Sequence, residues 1–354
     1  MPQNMNDLLK LMVERGASDL HITAGATIQL RIDEDLVPIT EEALSSEESR
    51  RLTYEILNKA QVEKFERDLE LDMAFSVDNL GRFRVNVFRQ KGSVASSVRL
   101  IPHEIWSFEQ CGLPVDVVLD LCKRPKGLVL VTGATGSGKS TSLASMIDWI
   151  NSNRSCHIVT VEDPIEFVHK NKKAIVNQRE VHSDTYSFGA SLKHVLRQDP
   201  DVILIGELRD LETIESALIV AETGHLVFAT LHTSDCVQTI NRIIDVFPSH
   251  QQEQIRTQLS FVMIGALSQQ LIPKTEGSGR VLATEVLIVT SAVRSMIRES
   301  KIHQIYSVMQ TSKKEGMKTM NQALYELYHK RSISYEDAFD RTTDPDDLAR
   351  LFKK

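Results

Sequence analysis

The eight residues Gly133, Ala134, Thr135, Gly136, Ser137, Gly138, Lys139 and Ser140 leave this chain the fewest choices of fold. They follow an apolar run at residues 128–132 and precede a helix-like run at 141–150, the strand–loop–helix context that a phosphate-binding loop requires. Glycines let the backbone curl until successive N–H groups converge on phosphate oxygens, and the helix that follows adds the positive end of its dipole. In such a loop Lys139 reaches the β- and γ-phosphates and the Ser140 hydroxyl ligates magnesium, with Thr141 next in the turn. The expected cofactors are ATP and Mg2+. A glycine-rich turn that holds no ligand is the alternative, and it has no need of the full spacing in this context.

Composition narrows what the phosphoanhydride drives. A chain of 354 residues has room for two domains and a core that needs no staples. Its net charge of −7 gives no global pull toward nucleic acid or an anionic membrane, so no nucleic-acid partner is expected. Cys111, Cys122, Cys156 and Cys236 stand far apart without a C-x-x-C pair, which argues against a zinc site and a disulfide framework and fits a reducing cytoplasm. The longest uncharged apolar stretch, residues 259–272, is short and interrupted by Ser268, Gln269 and Gln270, so direct membrane insertion is not expected. The opening MPQNMNDLLK has no signal-peptide pattern, which points to a cytoplasmic chain.

Residues 1–102 read as a small α+β domain. Leu8, Leu9, Met12 and Val13 repeat at helical spacing across residues 6–15, and Gly16 is placed to end that helix. Strand-like pieces at 19–23 and 29–32, a helical stretch at 47–66, and strands at 72–77, 82–88 and 94–101 follow. Pro102 and Gly112 mark a linker over residues 103–112. Beyond it, continuous apolar runs at 128–132, 157–161, 202–205, 226–230 and 281–289 alternate with helical segments, as in a mostly parallel sheet covered on both faces. Residues 113–354 are therefore expected to form an α/β, RecA-like domain ending in helices. Ser249 with Gln252 resembles a capping box at a helix start, and Ile297, Ile302, Ile305, Tyr306 and Met309 form the stripe expected to be buried after residue 291.

Several side chains are candidates for the chemistry. Val202 to Ile205 supply a buried strand, Gly206 a turn, and Glu207 a carboxylate placed as general base; its alternative is a surface pair with Arg209. Glu162, Asp163 and Glu166 follow the 157–161 strand, and parallel strands would bring all three to the phosphate edge. Glu162 is the one expected at the magnesium water network, while Asp163 and Glu166 read equally as helix-capping or surface acids. His232 closes the strand GHLVFATLHT and is placed to face a γ-phosphate; His225, at its start, reads equally as an ordinary strand-start histidine. In the strand at 82–87, Phe83, Val85 and Val87 share one face and Arg82, Arg84 and Asn86 the other, with Arg99 similarly placed between Val98 and Leu100. Such arginines are usually a solvated surface, but beside a nucleotide they become arginine fingers.

Read in order, GASDLHI at 16–22, GATGSGKST at 133–141, VEDPIEF at 161–167 with VNQREV downstream, DPDVILIGELRDLETI at 199–214, ETGHLVFATLHT at 222–233 and AVRSMIRE at 292–299 resemble the type IV pilus retraction ATPases. These belong to the secretion-ATPase superfamily of hexameric RecA-like motors, and the resemblance covers nearly the whole chain. It implies a RecA-like P-loop NTPase core, a PAS-like N-terminal domain, and a homohexameric ring with nucleotide between subunits. It also implies an inner-membrane platform protein as partner, at the inner face of the cytoplasmic membrane at the pilus base. By position it makes Lys139 and Ser140 the phosphate-loop residues, Glu162 the acidic-box carboxylate, Glu207 the catalytic glutamate and His232 the histidine-box residue. Arg84 and Arg99, with Arg82 as a third, match the arginines that the N-terminal domain presents to nucleotide.

Ala134 stands where the family commonly has proline. The 292–299 segment keeps Arg294, Ile297 and Arg298 of a motif needed for retraction but differs at Val293, Ser295 and Met296, and residues 33–35 stand where a glycine is usual. Assembly-type relatives carry paired cysteines for zinc, and their absence here favours retraction over a pilus-assembly or type II secretion role. A RecA-like nucleic-acid translocase and a small-molecule kinase are more distant alternatives.

Overall fold

In the computed structural model, residues 4–32, 35–78, 80–101, 104–276 and 279–353 are described. Pro102 and residues 33–34 of the turn after Ile32 lie outside them. The chain divides into two compact units, Met1–Glu104 and Ile105–Lys354.

The first unit opens with α1 (Met5–Glu14), which buries Met5, Leu8, Leu9 and Met12 and is capped by the Asn4 side chain on the Asp7 N–H. Gly16 follows its end at φ 64°, a left-handed conformation that costs glycine little. Strands β1 (Asp19–Thr23), β2 (Gln29–Ile32), β3 (Asp35–Pro38), β4 (Glu70–Val77), β5 (Gly81–Gln90) and β6 (Ser93–Ile101) form an antiparallel sheet in the order β3-β2-β1-β6-β5-β4. The helical stretch at 47–66 is two helices, α2 (Ser46–Tyr54) and α3 (Lys59–Asp68). The break is at Asn58, whose extended backbone lets it trade hydrogen bonds with Gln61 as a reciprocal cap, so the second helix starts afresh there. The short, largely exposed β3 is an addition to the strands expected from sequence. On β5, Phe83, Val85 and Val87 are fully buried and Arg84 is exposed, as the alternation requires.

The second unit begins inside the expected linker: α4 (Phe108–Cys111) buries Phe108, packs on the helix of the phosphate loop and ends at Gly112 in the left-handed region. Next come α5 (Val115–Lys123), β7 (Gly127–Thr132), α6 (Lys139–Asn153), β8 (His157–Glu162), β9 (Ile175–Glu180), α7 (Phe188–Val195), β10 (Val202–Ile205), α8 (Leu211–Glu222), β11 (Leu226–Leu231), α9 (Cys236–Asp245), α10 (Gln252–Val262), β12 (Met263–Pro273) and β13 (Arg280–Ile288). The seven strands lie in the order β13-β12-β7-β11-β10-β8-β9, all parallel to their neighbours except the antiparallel edge strand β13. Strands β7, β10 and β11 are buried along their whole length, which is why they read as unbroken apolar runs.

The run at 259–272 holds the last turn of α10 and most of β12, and, against the sequence reading, Ser249 does not cap α10. That helix starts at Gln252, whose side-chain amide instead donates back to the Phe247 carbonyl, leaving the N-terminus without a side-chain cap. After β13 the chain is helical: α11 (Ser291–Arg298), α12 (Ile305–Thr311), α13 (Met320–His329), α14 (Tyr335–Arg341) and α15 (Pro345–Phe352). Ile297, Ile302, Ile305 and Met309 are buried; Tyr306 is half-buried because its hydroxyl reaches out to Asp347.

Candidate functional site

The site is organised by the turn out of β7. Gly133 sits at φ 140°, and a Cβ there would lie 2.4 Å from the Gln269 carbonyl oxygen and 2.6 Å from Ser137 Oγ, so only glycine lets the chain pass. Gly136 and Gly138 also take positive φ, and Gly138 forms the left-handed entry to α6, whose first residue is Lys139. Residues 133–138 thereby wrap the N-terminus of α6, where backbone N–H groups lack intrahelical partners and the dipole favours an anion. The buried Lys139 ammonium donates to the carbonyls of Gly133 (2.8 Å) and Ala134 (3.0 Å), holding the loop closed and leaving its third proton for a ligand. Burial lowers its pKa, with the Glu207 and Glu166 charges opposing. Behind the loop the Gln269 amide donates to Ser142 Oγ at 2.8 Å.

A cavity of about 560 Å³ opens beside this loop. Thr135, Gly136, Gly138, Lys139, Ser140 and Thr141 line one wall; Glu162, Asp163 and Glu166 a second; Glu207, Arg209 and His232 a third. Gly133, Ala134 and Ser137 are not on its lining and shape the loop from behind. Strand order accounts for the convergence. Because β8, β10 and β11 run parallel to β7, their carboxyl ends deliver these residues to the phosphate edge.

Glu207 has a cation or an imidazole at each oxygen: Arg209 Nε donates to Oε2 at 2.7 Å, and His232 Nε2 lies 3.3 Å from Oε1. The pairing with Arg209 thus exists, on the lining of the cavity, with the Arg209 side chain more than half exposed. Arg209 also lies 3.8 Å from Asp163. Glu162 is buried, accepting the Thr160 hydroxyl at 2.6 Å and the Gln178 amide at 3.1 Å, both neutral donors, and burial raises its pKa. His225 faces the other end of β11, with Nδ1 3.0 Å from the Val220 carbonyl, and takes no part in the cavity. Leu271, Arg280, Thr230 and His169 also line the cavity and were not singled out in the sequence. The first two come from the β12–β13 hairpin, which the apolar run at 259–272 half disclosed. His169 is buried, and desolvation takes its pKa down to about 4, so it is neutral.

In the first unit, Arg84 on β5 lies directly opposite Arg99 on β6, and Arg99 lies opposite Asp19 on β1. Arg99 Nε donates to the buried Asp19 carboxylate at 2.7 Å, and both Arg84 and Arg99 are exposed. Like charges facing each other across strands cost stability, and the Asp19 carboxylate offsets part of that cost at Arg99. The 292–299 segment is α11: Val293 and Ile297 are buried, and Arg294 donates to the Ser260 and Phe261 carbonyls, capping the end of α10. The Arg298 guanidinium lies 5.7 Å from the ring centre of the exposed Phe261.

Comparison with known proteins agrees with this geometry. The family model described as "Type II/IV secretion system protein" matches residues 1–338. The chain is 46% identical over 345 residues to the Pseudomonas aeruginosa protein described as "Type IV pilus retractation ATPase PilT", covering 98% of this chain and 100% of that one. It is 44% identical over 326 residues to the "Twitching motility protein" of Neisseria gonorrhoeae, covering 92% of this chain and 87% of that one. The solved structure titled "Crystal Structure of the Pilus Retraction Motor PilT and Bound ADP" superposes with a TM-score of 0.92 at 51% identity, over 98% of this chain and 99% of that one.

The buried Glu162 predicts a pH signature in the nucleotide-free protein. Its folded pKa lies above the ordinary glutamate value of 4.5, so its protonated form is the one the fold favours and stability is lost as pH rises through the folded pKa. Glu162→Gln, which mimics the neutral acid, should match the wild-type melting temperature below pH 4.5 and exceed it increasingly toward neutrality. A wild type at least as stable as the variant at pH 7 contradicts this.

Proposed function

This chain belongs to the type II/IV secretion system protein family, and from that premise we propose that it is the ATP-hydrolysing motor of type IV pilus retraction. The observation that carries the reading is one cavity in which the Lys139 ammonium, the Ser140 hydroxyl and the hydrogen-bonded Glu207 carboxylate face one another. Near-full-length similarity to a pilus retraction ATPase gives that chemistry its direction.

In the proposed mechanism the N–H groups of Gly136, Gly138, Lys139, Ser140 and Thr141, which line the cavity, bind the phosphates, and the Lys139 ammonium donates its remaining N–H to the β- and γ-phosphates. A magnesium ion fits the donor set: the Ser140 hydroxyl directly, and Glu162 and Glu207 through water, are hard oxygen ligands of the kind it prefers. When bound it would neutralise phosphate charge, and its proximity would hold Glu162 ionised despite burial. Glu207 acts as general base toward the attacking water. Arg209 fixes one of its oxygens, and His232, touching the other, senses the γ-phosphate.

Charge at the γ-phosphate is completed by Arg84 and Arg99 of a neighbouring copy in a homohexameric ring. Closing each interface on ATP and relaxing it after hydrolysis supplies the work, because ATP and ADP bind the two states with different affinity. The ring acts on an inner-membrane platform protein at the pilus base and so returns pilin to the bilayer. No helix among the described residues is long and apolar enough to cross a membrane, and in this proposal the route to the bilayer is that partner. Retraction is favoured over assembly by the four separated cysteines, all free, which offer no paired zinc ligands.

Two outcomes are expected. Glu207→Gln should keep ATP affinity and lose about 10²- to 10⁴-fold in kcat in a steady-state ATPase assay, with Lys139→Ala losing turnover altogether; near-normal hydrolysis by either contradicts the site assignment. A deletion strain should lose twitching while carrying excess surface pili, whereas bald cells would indicate an assembly motor.

A further inference from the structure

Glu285 lies in the middle of β13, almost wholly buried, opposite Ser268 of β12. Each of its carboxylate oxygens accepts a backbone N–H from the first residue of a different helix: Oε1 from Cys236 at the head of α9 (2.7 Å), and Oε2 from Met320 at the head of α13 (3.1 Å). Those two N–H groups have no intrahelical acceptor, and the side-chain caps of both helices, Asp235 and Thr319, serve residues further in. One carboxylate therefore takes the positive ends of two helix dipoles at once. Among the described residues no cationic side chain forms an ion pair with it. An isolated buried carboxylate is costly unless its hydrogen bonds are good, and burial accordingly raises its pKa.

The two helices belong to different working parts. The residues before Cys236 run back through the loop 232–235 to His232, the group in contact with Glu207. That loop has a second tether, Ser268 Oγ donating to the Ser234 carbonyl at 2.8 Å, and Thr233 is hydrogen-bonded to Thr239 of α9 at 2.6 Å. Thr239 is in turn 3.5 Å from Thr132, the residue before the phosphate loop. On the other side, Met320 begins α13, which packs on β13 within the cluster of Ile272, Ala283, Leu324 and Leu348 at the C-terminal helices.

We propose that Glu285 is a positioning residue for hydrolysis: by gripping the heads of α9 and α13 in one buried carboxylate, it registers the His232 loop against the C-terminal helices, so that displacing either is felt by the other. The inference rests on the reading of this cavity as the hydrolytic site.

The test uses the backbone rather than the carboxylate. Thr319 has φ −79° and ψ 161°, the extended conformation that a residue preceding proline adopts, and Met320 is the first helical position, where proline is tolerated. Met320→Pro therefore deletes one N–H, while Met320→Ala loses the same buried side chain and keeps it. In the full-length protein the proline variant should show kcat about tenfold below the alanine variant, the size of one charge-assisted hydrogen bond, with KM for ATP within about twofold. Its amides at residues 232–240 should also exchange hydrogen faster than those of the alanine variant. Glu285→Gln, which keeps the side chain's shape, should fall in kcat in the same way and carries the test if the proline variant does not fold.

Equal kcat in the proline and alanine variants, or wild-type kcat in Glu285→Gln, overturns the proposal, as does unchanged exchange at 232–240. A purely architectural role would lower only the melting temperature. If the wild type itself fails to hydrolyse ATP, the functional reading falls, and the exchange difference still decides whether Glu285 couples the two helices.

Discussion

The second unit depends on one close approach, where the backbone at Gly133 runs so near the Gln269 carbonyl and Ser137 that no Cβ fits. That approach brings the turn out of β7 over the head of α6 and closes the loop whose carbonyls Lys139 holds. Gln269 belongs to β12, so the loop's shape depends on a strand formed more than a hundred residues later and on the hydrogen bond its side-chain amide donates to Ser142. Binding of an anion at the α6 N-terminus is the direct consequence. The parallel sheet does the rest by bringing the ends of β8, β10 and β11 to the same edge.

The electrostatics of that edge divide the labour between two carboxylates. Glu207, the proposed base, is met by a guanidinium and an imidazole at the cavity wall. Glu162 is sunk among neutral donors, where the charged form is disfavoured until a cation comes near. Different environments for neighbouring acids are how a single site assigns different roles to them. In the first unit the facing Arg84 and Arg99 are both exposed and accept a repulsion that Asp19 offsets at Arg99.

What the sequence disclosed follows from burial. Strands covered on both faces, β7, β8, β10 and β11, appear as apolar runs, and glycines forced to positive φ appear as spacing, so the core and the loop were legible. Edge strand β9 was hidden because its residues are largely polar, and β12 because it buries Ser268 and Gln269 through hydrogen bonds rather than apolarity. Ser249 matched a capping pattern that geometry does not use, whereas Asn58, a lone signal inside a helical stretch, makes a complete reciprocal cap. Glu285 left no trace at all: its partners are backbone groups 49 and 35 residues away.

The central claim is that arginines from an adjoining copy complete the charge at the γ-phosphate. It is tested most directly by turnover per subunit measured across a dilution series, with the oligomeric state followed by light scattering in the same samples. The account predicts that turnover per subunit collapses as the assembly dissociates and returns on reconcentration. Constant turnover down to a monomeric solution would contradict it.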